Sequence, residues 1–149
     1  NSSFCSFFSR MRRGYLYTAA QENGCNKVAL GHHMDDAAES FFMNFIYNGQ
    51  MRSLAPKYKA ENGLIVIRPL IQMRERQLRA FVDENNIAAI GDEACPAMRF
   101  DVKMPHARAD MKVKLAKMEI EFPQLFTSLN AAFKNISVDS FFDKEKFSL

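Results

Sequence analysis

An α/β fold built on a parallel sheet is what three features of this 149-residue chain predict. Short apolar runs at Val28–Leu30 and Leu64–Ile67 have the composition of strands buried on both faces. Each run leads into a segment with helical spacing. The links between strand and helix are short, as in parallel crossover units.

Taken in order, Arg10 to Glu22 reads as a helix ended by Asn23-Gly24, with Met11, Leu16 and Ala19-Ala20 as its apolar positions. Val28–Leu30 is the first strand. The next helix, Asp35–Tyr47, carries Ala37, Ala38, Phe41, Phe42, Phe45 and Ile46, a pattern that buries a wide stripe, and it stops at Asn48-Gly49. Asp35 and Glu39 share a face outside that stripe. Met51–Asn62 is a basic, proline-containing loop. Leu64–Ile67 is the second strand, and Arg68-Pro69-Leu70 ends it on the same side of the sheet as His32. A helix from Arg74 to Asn85 shows Leu78, Phe81 and Val82 at helical spacing, and Ile87 to Pro105 reads as irregular. Ala107, Met111, Leu115 and Met118 mark a helix ending near Pro123, and a last helix runs from Leu125 to Ile136. Phe141, Phe142 and Phe147 lie in a charged tail. These elements place a boundary near residue 100, between an α/β part (1–100) and a helical appendage (101–149).

With 48% apolar residues and fourteen phenylalanines against no tryptophan, the core should be large and Phe-rich. No apolar run is long enough to cross a membrane. Three cysteines, an odd number with no dense framework, point to a reducing compartment such as the cytoplasm. A net charge of +3 is too small to argue nucleic-acid binding by itself. Its distribution says more: Arg99, Lys103, Arg108, Lys112, Lys114 and Lys117 face only Asp101 and Asp110 between residues 99 and 117.

The densest chemistry lies at residues 31–39, G-H-H-M-D-D-A-A-E, between the first strand and its helix. In open parallel sheets this is where ligands bind, beyond the strand ends and against the free N–H groups of a helix start. Helix capping could account for one of Asp35 and Asp36. It does not account for five ionisable groups in eight positions. Adjacent histidines do not match the i, i+4 spacing of helix-borne zinc ligands. The carboxylates suit Mg²⁺ bridging a triphosphate, so nucleotide chemistry leads.

The same segment, followed by Tyr47-Asn48-Gly49-Gln50-Met51-Arg52-Ser53-Leu54 and Ile67-Arg68-Pro69-Leu70, resembles the PP-loop ATP pyrophosphatases that modify tRNA. Cys5-Ser6-Phe7-Phe8-Ser9-Arg10-Met11-Arg12-Arg13-Gly14 is similar to the C-x-x-C-x-x-x-R-R-G pattern of the tRNA 2-thiocytidine biosynthesis group. The resemblance implies the carboxyl-terminal part of an adenine-nucleotide alpha-hydrolase-like (PP-loop) domain plus a helical tail. The signature S-G-G-x-D-S is absent from the chain, which is expected to be a portion of a longer protein and inactive alone. Exposed edges of such a portion make a homodimer an expectation.

The resemblance also implies a reaction: AMP is transferred from ATP to a cytidine carbonyl oxygen in tRNA, pyrophosphate leaves, and sulfur from a donor protein displaces AMP. Asp35 and Asp36 would engage Mg²⁺ or the nucleotide with Glu39 beside them. Gly31, His32 and His33 would lie near the α-phosphate or base. Arg12, Arg13 and Arg68 would pair with phosphate oxygens or RNA, as guanidinium forks do, against a solvated helix face for Arg12 and Arg13 and, equally, a structural ion-pair partner for Arg68 at its strand end. Arg52 in the 51–62 loop, and Arg108 and Lys112 in the tail, are further candidate RNA contacts; a solvated helix face explains the last two as well.

In the resembled group two cysteines of C-x-x-C and a later one hold an iron–sulfur cluster. Here Phe8 stands at the second position, and a phenyl ring cannot ligate iron. Cys5 and Cys95 remain, able to share a cluster with an outside ligand, to form a disulfide or persulfide relay, or to be relics. Cys25, just before the first strand, reads as a small semi-buried thiol at the opposite end of the sheet. Two alternatives accompany the thiolation reading: a ligation like that of tRNA(Ile)-lysidine synthetases, and a non-catalytic nucleotide- or RNA-binding relative.

Overall fold

The computed structural model describes residues 4–89 and 107–140, with side chains from Phe7 onward in the first segment. Its elements are α1 (Phe4–Glu22), β1 (Lys27–Ala29), α2 (Met34–Asn48), β2 (Lys57–Lys59), β3 (Ile65–Ile67), α3 (Glu75–Glu84), α4 (Ala107–Glu121) and α5 (Leu125–Ala132), followed by a 3-10 turn at Val138–Ser140. The boundary near residue 100, and Phe141, Phe142 and Phe147, lie outside the described residues.

The two predicted strands pair in parallel, Val28 opposite Val66. Val66 is fully buried at the centre of the sheet, as a β-branched run with no polar alternation requires. The sheet is nevertheless mixed, in the order β1-β3-β2. Residues 57–59, expected to be loop, form an antiparallel edge strand with Tyr58 opposite Val66. Lys-Tyr-Lys with only the tyrosine turned inward is a lysine-guarded edge, and three residues are too few for periodicity to reveal.

α1 begins earlier than its apolar spacing suggests, so Cys5 and Phe8 are helical rather than in a preceding loop. Tyr17 ties this helix to the sheet through a 3.0 Å contact between its hydroxyl and that of Tyr58. α2 starts at an extended His33 and stops at Gly49, whose φ of 61° is left-handed and suits glycine. The stripe on α2 is buried in its first turns, but Phe45 and Ile46 are exposed. Glu39, expected on an outer face, is buried.

The largest apolar cluster joins Met34 and Ala38 of α2 to Met111 and Leu115 of α4 and Phe126 of α5. Ala38 has no exposed surface, and its small side chain lets α4 lie close against α2. Phe133 extends the cluster by meeting Phe41 edge-on at 5.3 Å. The helices beyond residue 106 therefore share their core with the helix that opens at the strand ends.

Met111 is only 2% exposed, so Met111→Ala should lower unfolding stability by about 2–4 kcal/mol in denaturant titration. Val113→Ala, two residues away on the exposed side, should stay within about 0.5 kcal/mol of the parent.

Candidate functional site

Because β1 and β3 run parallel, their carboxyl ends open at one edge of the sheet, where the Leu30 N–H donates to the Ile67 carbonyl at 2.9 Å. This brings His32 to Arg68, whose Nε donates to His32 Nδ1 over 3.4 Å. Burial, then the Arg68 charge, lowers the His32 pKa; Arg108 and Arg12 add to that, and Asp36 opposes it. The imidazole is therefore neutral at neutral pH.

Arg68 does not have the surroundings of the phosphate ligand expected from the sequence. It is 7% exposed. Its Nη1 donates to the Ala55 carbonyl, and its guanidinium carbon lies 5.2 Å from the centre of the Tyr58 ring. A fork sandwiched in this way supports the strand end instead of reaching outward.

The first turn of α2 resolves the carboxylate cluster into separate tasks. The His33 N–H donates to Asp36 Oδ2 at 3.0 Å, and the Asp36 N–H donates to His33 Nδ1 at 3.4 Å, a reciprocal cap. Asp36 Oδ1 also accepts from Arg108 Nη2, while Glu39 accepts from Arg108 Nε at 2.7 Å. Asp35 turns the other way. It accepts from Arg74 Nε at 3.2 Å and from the Glu75 N–H at 2.7 Å, so it caps α3 from a distance in sequence.

Arg74 completes that cluster by donating to Glu119 at 2.6 and 2.9 Å, with its guanidinium carbon 3.3 Å above the Phe126 ring. Burial alone would raise the Asp35 carboxyl, but the hydrogen bonds from Arg74 and the Glu75 N–H outweigh it and the net shift is downward. Glu119 is lowered by its bond to Arg74, and Arg74 is raised by Glu119 and Asp35. Lys112 donates to Glu75 at 2.6 Å.

These contacts do not fit a Mg²⁺ site on Asp35, Asp36 and Glu39. Each carboxylate faces an arginine whose positive charge would repel a divalent ion, and no group of three metal-ligating side chains gathers among the described residues. Arg108 and Lys112 likewise hold carboxylates of this chain, where the sequence suggested RNA. Sequence reading missed Arg74, Glu119, Tyr17 and Tyr58. Only Arg74 carried a signal: a cation at a helix start opposes the dipole and asks for a compensating partner.

Other expected residues are placed as follows. Gly31 is exposed beside His32. Arg12 is exposed on α1 and close enough to act on His32; Arg13 is partly buried, its Nε on the Ser9 carbonyl at 3.3 Å. Arg52 is exposed after α2. Cys5 is helical, but its side chain, like the whole of Cys95, lies outside the described residues. Cys25 is at the far end of the sheet as expected, yet exposed, not semi-buried.

The pattern of the PP-loop domain matches residues 9–104. The chain belongs to the PP-loop family. Among its relatives, the tRNA-cytidine(32) 2-sulfurtransferase of Geobacter metallireducens is 39% identical over 146 residues, covering 97% of this chain and 55% of that protein. The protein of the same name from Syntrophotalea carbinolica is 40% identical over 136 residues, covering 91% and 51%. The chain thus spans about half the length of the curated relatives it matches. In fold it is similar to the U34-tRNA thiolase NcsA from Methanococcus maripaludis, solved with its [4Fe-4S] cluster: TM-score 0.68, 21% identity, 92% of this chain and 46% of that one.

Removing Arg74 leaves Asp35 and Glu119 without their partner, so Arg74→Met should cost about 3 kcal/mol in denaturant unfolding. Both carboxyls are lowered on folding, so their stabilisation is present above about pH 4 and lost as pH falls through their folded values. Arg74→Met should flatten that acid loss, measured as unfolding free energy against pH. Arg108→Ala exposes a smaller deficit, because Arg108 is itself half in solvent; a loss of about 1–2 kcal/mol is expected in denaturant unfolding.

Proposed function

We propose that the full-length protein is an ATP-dependent tRNA sulfurtransferase that adenylates a cytidine carbonyl oxygen, releases pyrophosphate and replaces AMP with sulfur to give 2-thiocytidine. The observation that carries this reading is the strand-end edge of the sheet, where His32, its pKa lowered, stands near the exposed Arg12 beyond a parallel pair in a PP-loop domain. Such a strand end suits an anionic nucleotide: the arginine attracts the triphosphate, and the imidazole offers a phosphate oxygen an N–H donor. Relatives carrying the cytidine sulfurtransferase name support the choice of base.

ATP would lie over Gly31 and His32. Of the arginines expected to meet phosphate or RNA, Arg12, Arg13 and Arg52 are free of carboxylate partners among the described residues and are proposed for that role. Cys5 and Cys95 are the candidate sulfur-handling thiols, and a donor protein would supply the sulfur. A cluster like the neighbour's would draw on the same thiols, with Phe8 at the position of the missing ligand. The proposed location of such an enzyme is the cytoplasm.

Mass spectrometry of tRNA nucleosides from cells with and without the gene tests the reading. The deletion strain should lack 2-thiocytidine, and plasmid-borne full-length protein should restore it. A deletion strain with unchanged 2-thiocytidine would overturn the assignment.

A further inference from the structure

Resting on the reading of the strand ends as an ATP site, we infer that Arg68 is a positioning residue: by donating to Nδ1 of His32 it fixes the neutral imidazole as the Nε2–H tautomer, whose free N–H donates to a phosphate oxygen of ATP. The geometry has three parts. Arg68 can only donate, so the Nδ1 it faces at 3.4 Å must hold a lone pair and the proton must reside on Nε2.

Nothing among the described residues hydrogen-bonds that Nε2, and no side-chain nitrogen or oxygen among them is both buried and unpartnered, so Nε2 reaches solvent beyond the strand ends. Arg68 cannot easily turn away to serve the ligand itself. Its other nitrogen is held on the Ala55 carbonyl, its face lies on Tyr58, and Tyr58 is in turn fixed by the Tyr17 hydroxyl.

The charges around His32 act together. Arg68 from the β3 end, Arg12 from α1 and Arg108 from α4 all disfavour the imidazolium, while Asp36 from α2 favours it. Burial adds to the three arginines. The imidazole stays neutral where a lone exposed histidine would begin to charge, so Nδ1 keeps the lone pair that accepts from Arg68. Adjacent His33 is different in kind, because its Nδ1 is taken by the Asp36 N–H and its role is the helix cap.

Nitrogen NMR of the full-length protein labelled with ¹⁵N-histidine reads the tautomer directly. At pH 7, His32 should show an unprotonated Nδ1 and a protonated Nε2, and saturating Mg-ATP should move the Nε2 resonance. A protonated Nδ1, an imidazolium at pH 7, or an Nε2 resonance unmoved by Mg-ATP would each overturn the inference. Arg68→Met, which offers no donor, should release His32 from the single Nε2–H tautomer, seen as a shift of both ring nitrogens toward averaged values in the same spectrum. An unchanged Nδ1 and Nε2 pattern counts against the role. His32→Gln, which keeps an N–H near the Nε2 position, should hold the rate of pyrophosphate release within about tenfold, whereas His32→Asp should lose at least about 100-fold; equal losses would also refute it. The NMR arm on the parent protein needs no variant to fold and no tRNA. A wrong base assignment therefore fails in the nucleoside analysis, and a wrong tautomer fails in the nitrogen spectrum.

Discussion

Arg74 is the interaction on which the rest of the structure hangs. Its guanidinium is bonded to Asp35 at the start of α2 and to Glu119 near the end of α4, and it lies on the Phe126 ring of α5. It also sits at the entrance to α3, whose first N–H groups find acceptors in Asp35 and Gln77. Four helices are thus registered on one cation. Bringing a guanidinium and two carboxylates out of water is costly, and the cost is offset only when nearly every donor and lone pair is engaged, as here. The result is geometric specificity: α4 cannot slide along α2 without breaking both the Arg74 cluster and the Arg108 contacts to Asp36 and Glu39.

That constraint determines the electrostatics of the strand ends. The acidic residues after β1 look in sequence like a cation site, yet each has an internal arginine, so the cluster is closer to neutral than a list of side chains suggests. The uncompensated groups near the strand ends are cations of α1 and a neutral histidine. That surface is braced by the Arg108 pair beside His32 and by the Arg74 pair on the other side of α2.

The elements with clear periodicity or punctuation were legible. Val28 and Val66, the Asn-Gly stops and the apolar spacing of Met111 and Leu115 depend on local pattern, and the observed elements follow them within a few residues. The short antiparallel strand at Tyr58 was not legible, because its pairing is a property of β3 as much as of its own three residues. Burial of Glu39 escaped for the same kind of reason: its partner, Arg108, is 69 residues away.

From its residues alone the chain specified a parallel pair of strands opening onto a histidine- and carboxylate-rich turn, and membership of a nucleotide-using family through motifs that lie close together in sequence. Which carboxylate caps, which arginine supports and which nitrogen remains free were decided only by tertiary contacts. Those tasks depend on distances of about three ångströms between atoms separated by dozens of residues, and no local pattern encodes such a distance.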